Sequence, residues 1–113
     1  MLRNKKLSGV SKPLRLVEQV LGDQGFQRKG SKEAPVYRMN ILDAATHQSY
    51  ALEIPFREER KKDDHLVRLG DAYVRTGTGE EEGVPRAVSL AAECKLSEVA
   101  DYLTTYHHAQ QLH

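Results

Sequence analysis

The sequence predicts an α+β fold, a two-layer sandwich in which two helices cover one face of a small antiparallel sheet of three to four strands. Three observations lead to it. Tyr50, Leu52, Ile54 and Phe56 alternate with Ala51, Glu53 and Pro55, and a period of two is the mark of a strand with one buried face. Val36 to Leu42 alternates in the same way, with Tyr37, Met39 and Ile41 on one side. Val88, Ala92, Leu96, Val99, Leu103 and Tyr106 recur at steps of three and four, a helical stripe. With an earlier helix, the order helix, paired strands, third strand, helix leaves both helices to cover one sheet face.

Taken in order, residues 1–10 read as a basic, weakly ordered lead-in. Ser11 is placed to cap a helix over about 12–24, with Pro13 in its first turn, where a missing N–H matters least. Leu14, Val17, Val20 and Leu21 form its apolar stripe, with Leu16 at the margin. Gly25 suits the C′ position, and Phe26 is placed to fold back on the helix end. Phe26 to Arg28 opens a short strand, and Gly30 to Pro35 is a loop by composition.

Asp43-Ala44-Ala45-Thr46 suits a four-residue turn. It pairs Leu42 with His47, which sets Met39 against Tyr50 and Tyr37 against Leu52. Both apolar sets then share one face, whereas a slip of one residue would separate them. The reverse face, with Arg38, Ala51 and Glu53, is expected to be polar and wet.

Arg57 to Asp64 reads as a charged connector. His65 to Leu69 resumes the strand pattern with Val67 and Leu69 inward. Gly70-Asp71 interrupts it, so a bulge or bend is expected there before Ala72-Tyr73-Val74. Thr76 to Gly83 reads as a mobile acidic loop with three glycines. Pro85 then opens the second helix. The competing reading of that segment is a strand at 86–92, from the alternation of Val88, Leu90 and Ala92, followed by a shorter helix.

A chain of 113 residues is the size of one domain, 1–113, and buries enough surface for a core without disulfide staples. The formal net charge of +1 argues against a dominant polyanion partner. No apolar run approaches the ~20 residues that span a bilayer, and the first ten residues lack the apolar segment of a secretory signal. Cys94 is the single cysteine, which excludes an intramolecular disulfide and points to the cytoplasm.

No catalytic constellation stands out. His107 and His108 are adjacent and diverge by about 100° on a helix. His47 falls in a turn and His65 at a strand start, so no metal set is expected. Thr76-Gly77-Thr78-Gly79 lacks the Lys-Ser/Thr of a phosphate loop and precedes three glutamates. Cys94 has no placed activating group. Glu58, Glu59, Asp63 and Asp64 are interleaved with Arg57, Arg60, Lys61 and Lys62, so the run sums to zero charge.

Two sets of residues remain as candidates. Tyr37, Tyr50 and Tyr73 are the tyrosines placed inward, at a pocket or at the core edge. Arg3, Lys5, Lys6, Lys12 and Arg15 precede the first acidic residue, Glu18, and could form a basic surface for phosphates.

Three stretches together resemble the YugN-like family of small bacterial proteins: the helix with its Gly-Phe exit, Leu14 to Phe26; the Tyr-x-Leu-x-Ile-Pro strand, Tyr50 to Pro55; and Val67-Arg68-Leu69-Gly70-Asp71-Ala72-Tyr73-Val74 with the Gly/Glu loop and helix after it. They span about residues 14–105. The chain departs from the family in the loop from Thr76 to Pro85, which is short and poor in aromatic and histidine residues. The resemblance implies a compact α+β fold and a cytoplasmic, Bacillus-type bacterial origin. It implies no activity and no catalytic residues.

The expectation is therefore an uncharacterised cytoplasmic protein, not an enzyme, without cofactor, that acts by binding or self-association. A homodimer is expected because Leu103 and Tyr106 extend the helical stripe past the sheet and need cover; the alternative cover is the basic amino-terminal segment folding back through Leu7 and Val10. The alternatives are a nucleic-acid-binding accessory protein that uses the basic amino-terminal region, and a small ligand-binding module with a pocket between sheet and helices.

Overall fold

The computed structural model describes residues 2–76 and 83–111, with side chains described for 3–76 and 83–104. Among the described residues seven strands and two helices follow one another: β1 (Leu2–Asn4), β2 (Ser11–Pro13), α1 (Leu14–Asp23), β3 (Gln27–Gly30), β4 (Pro35–Asp43), β5 (Gln48–Lys61), β6 (Asp64–Leu69), β7 (Ala72–Thr76) and α2 (Arg86–Gln111). The class is α+β as expected. The sheet is larger than the expected three to four strands, because seven strands pair in it, all antiparallel.

The extra strands are short or charged, so neither alternation nor length announces them. β5 does not stop at Phe56 but runs on to Lys61, and the predicted connector is its hairpin with β6 around Lys62-Asp63. β6 and β7 lie end to end along β5. The pairing changes from Phe56 with Leu69 to Glu53 with Tyr73, which places one extra residue on the β6–β7 side. This is the expected bulge at Gly70-Asp71, and Gly70 N–H still donates to the Pro55 carbonyl at 2.8 Å.

β1 and β2 flank β7 and β6 in turn. The amino-terminal segment, expected to be weakly ordered, is thus an edge of the sheet. Between β1 and β2, Gly9 N–H donates to the Leu69 carbonyl and Leu69 N–H donates to that of Val10, each at 2.8 Å. The excursion they close buries Leu7 to 1% exposure.

The β4–β5 hairpin keeps the expected faces with a shifted register. Asp43 pairs with Gln48, so Tyr37 lies opposite Ile54, Met39 opposite Leu52 and Arg38 opposite Glu53. The turn is Ala44–His47. Asp43 takes a hydrogen bond from His47 N–H at 2.8 Å and from the Thr46 hydroxyl at 2.9 Å. A shift of two residues preserves the faces, as the period of a strand requires.

Helix α1 starts later than expected, because Ser11 to Pro13 pairs with β6 and Pro13 is the cap residue. Its end is as expected. Gly25 has φ 94°, Phe26 N–H donates to the Leu21 carbonyl at 2.9 Å and Gly25 N–H to that of Gly22 at 3.1 Å, a Schellman motif. Leu16, placed at the stripe's margin from sequence, is buried with Val17, Val20 and Leu21, and Leu14 is half-buried.

Residues 86–92 are helical, which settles the competing strand reading. Val88, Ala92, Leu96, Val99 and Leu103 of α2 join Leu16, Val17, Val20 and Leu21 of α1 in one core with Tyr37, Tyr50, Leu52, Ile54, Phe56, Val67, Leu69, Ala72 and Val74. Leu103 is 1% exposed within a single chain. Residues 77–82 of the acidic loop, with the Gly-x-Gly motif, lie outside the described residues, as do the side chains of Tyr106, His107 and His108. Neither described helix is long and apolar enough to cross a membrane.

Candidate functional site

The helices cover the sheet face that carries Tyr50, Leu52 and Ile54. Register places the opposite set on the helix-free face: Val36 and Arg38 from β4, Ala51, Glu53, Pro55, Arg57 and Glu59 from β5, Arg68 from β6, and Tyr73 and Arg75 from β7. On this face Glu53 is 1% exposed. The expectation of a wet Glu53 is corrected here: the face is the predicted one, but the side chains around the carboxylate exclude water.

The reason is geometric. β5 is central over Tyr50 to Glu53, with β4 on one side and β7 on the other. Glu53 therefore has a cross-strand neighbour on each flank, Arg38 and Tyr73. The Arg38 Nε–H donates to Glu53 Oε2, and Arg75 Nη2 lies 3.2 Å from the same oxygen. The Tyr73 hydroxyl is pushed above its usual pKa, first by burial and then by its hydrogen bond to the Glu53 carboxylate. A buried carboxylate is tolerable because it is paired and hydrogen-bonded. The two guanidinium groups remain partly exposed, with their other N–H donors unspent on Glu53.

Next to this centre lies an open hollow of about 400 Å³, lined by Val36, Pro35, Pro55, Gly70 and Tyr73 with Arg57 and Arg68. Glu33 and Ala34, which end the turn that starts at Gly30, form part of its wall. Gly30 has φ 88°, and a Cβ there would stand 2.5 Å from the Ala34 carbonyl oxygen, so the turn requires glycine at this position.

A second cluster sits on the other face at the free end of β5. Arg28 Nη2 lies 2.7 Å from Glu58 Oε1, and the guanidinium is 5.1 Å above the Phe56 ring. Phe56 stacks on Tyr37 with centroids 4.3 Å apart. His65 Nε2 is 3.3 Å from Glu58 Oε2. Arg28 holds the Glu58 carboxyl below its usual range. Burial, aided by Glu18, pushes the Tyr37 hydroxyl up to about 12, and that hydroxyl has no hydrogen-bond partner among the described residues.

Of the tyrosines placed inward from sequence, Tyr37 and Tyr50 are buried in the core, and the Tyr50 hydroxyl donates to Gln48 Oε1 at 3.1 Å. Tyr73 is corrected: the bulge at Gly70-Asp71 turns Ala72 and Val74 inward and sends Tyr73 to the helix-free face. The three do not meet in a pocket. The hollow between α2 and the sheet, lined by Leu52, Val74, Ala92 and Leu96 with Tyr73 the one of the three tyrosines that borders it, is about 40 Å³, room for a water and not for a substrate.

The five basic residues do not share one surface. Arg3 lies on the helix-free face opposite Tyr73, Lys5 and Lys6 in the turn between β1 and β2, Lys12 opposite inward-facing Val67, and Arg15 on the exposed side of α1. Cys94 is exposed on α2. Among the described residues no group of three His, Cys, Asp or Glu side chains is placed to hold a metal ion. Arg38, Arg57, Arg68 and Arg75 share the helix-free face, a grouping that no single stretch of the sequence announces. Their signal was present in the outward positions of the same alternation, but grouping them needed the order of the strands.

No family model matches the sequence, and no curated protein matches it. Among solved structures, the crystal structure of the uncharacterized conserved protein YugN from Geobacillus kaustophilus HTA426 is similar, with a TM-score of 0.77 and 15% identity. The match covers 96% of this chain and 99% of that one. At this identity the likeness is one of fold.

Proposed function

We propose that this protein works by binding rather than by catalysis, in the cytoplasm, and that the helix-free face of its sheet is the working surface, recognising an anionic ligand. The observation that carries the reading is the Glu53 centre: one buried carboxylate holds the Arg38 and Arg75 guanidinium groups in place. Guanidinium groups fixed in this way meet an oxyanion without first losing side-chain freedom, and their planar donor sets match carboxylate and phosphate. We also place the chain in the YugN-like family. The end-to-end structural match and the three sequence stretches support that placement, and the family brings no activity with it.

The test is a titration of the labelled protein with tripolyphosphate, followed through backbone amides. The expected result is saturable shifts at Arg38, Ala51, Glu53, Tyr73 and Arg75 that weaken with added salt. Shifts confined to residues 3–15 would transfer the reading to the basic amino-terminal region. No shifts at all would remove it.

A further inference from the structure

We infer that the hollow beside the bulge is a binding site for a small organic oxyanion, a carboxylate or phosphate head on an apolar body. The inference rests on the helix-free face being the binding surface. Arg57 and Arg68 are direct register partners across β5 and β6 and share that face. Like charges placed opposite each other in a sheet repel. Arg68 is partly compensated, since its Nε–H donates to Glu59 at 2.7 Å. Arg57 has no ion-pair partner among the described residues.

An oxyanion seated between the two guanidinium groups offsets this repulsion and accepts paired N–H donors from each. The rest of the hollow is mostly apolar. Val36 and Pro55 line it, and Gly70 keeps the bulge clear, since a Cβ there would come within 3.2 Å of Pro55 Cγ. Tyr73 stands at its margin. A volume of about 400 Å³ falls in the range of small-molecule sites, which join apolar walls to a few orienting polar groups. Among the described residues, the one acidic side chain on the wall is Glu33, on the exposed turn.

The test uses phenylphosphate and benzoate, titrated separately into the labelled full chain at about 50 mM salt, where screening is moderate. The expected result is saturable amide shifts at Arg57, Arg68, Gly70 and Tyr73. Arg57→Gln and Arg68→Gln should each weaken binding about tenfold, the scale of one lost charge-assisted bond, with the amide spectrum away from the hollow retained. Tighter binding of phenylphosphate assigns the natural head group as phosphate, and tighter binding of benzoate assigns it as carboxylate. The site is overturned if neither compound saturates by about 10 mM, a range that would already detect very weak affinity, or if both variants bind as the parent does. Shifts at Arg38 and Arg75 without those at Arg57 overturn the hollow and leave the helix-free face as the binding surface. No shifts on that face remove both.

Discussion

Arg38 lies directly opposite Glu53 across β4 and β5 and donates its Nε–H to a carboxylate that is 1% exposed. Arg75, from the strand on the other flank, reaches the same oxygen. One acidic residue thereby joins three strands on the face that no helix covers.

Glu53 should therefore matter to stability. Glu53→Ala is expected to cost about 1–3 kcal/mol, the scale of charge-assisted hydrogen bonds lost from a buried group. An exposed strand glutamate would cost less than about 0.5 kcal/mol. Urea unfolding of the variant decides between the two. If Arg38→Ala and Glu53→Ala in combination cost as much as the two singly summed, the pair is not coupled.

On the other side of the same strand, Leu52 and Ile54 are fully buried between sheet and helices. Truncating either to Ala is expected to cost about 2–5 kcal/mol by loss of burial and creation of a cavity. A cost below about 1 kcal/mol at both positions in equilibrium unfolding would contradict the packing.

Tyr37 is predicted to behave unlike most buried tyrosines. Its hydroxyl has no partner among the described residues, so Tyr37→Phe should leave stability unchanged or raise it. The parent should also have an alkaline weakness. Its folded pKa is raised from 10.0 to about 12, so the stability linked to the neutral phenol is intact below about pH 10 and is lost as pH rises through 12. Unfolding of parent and Tyr37→Phe between pH 9 and about 12 should show a steeper decline in the parent.

The acid limb runs the other way. Glu58 and Glu59 are held below their ordinary pKa by hydrogen bonds from Arg28 and Arg68. A lowered folded pKa contributes stability above the unfolded value, about 4.5, and loses it as pH falls through the folded one. Arg28→Gln should flatten the fall in stability below that pH. An unchanged acid limb in thermal unfolding would show that Arg28 does not hold Glu58 in solution.

Period and turn chemistry are enough to define the two faces of β4 and β5, the stripes of α1 and α2, the Gly25 cap and the bulge at Gly70. Each is a local pattern, in which neighbouring residues declare which side meets the core. Which outward residues meet is set by the folded chain. The charged half of β5 and the short β1 and β2 bury little of their own, so no alternation marks them as strands, whereas β3 follows the short strand expected from Phe26 to Arg28. Their place comes from backbone pairing with partners far along the chain. The same pairing sets Glu53 between Arg38 and Tyr73, sends Tyr73 outward through one extra residue at the bulge, and brings Arg57 against Arg68. A buried carboxylate on an uncovered face is a property of three adjacent strands, and no single segment of the sequence contains it.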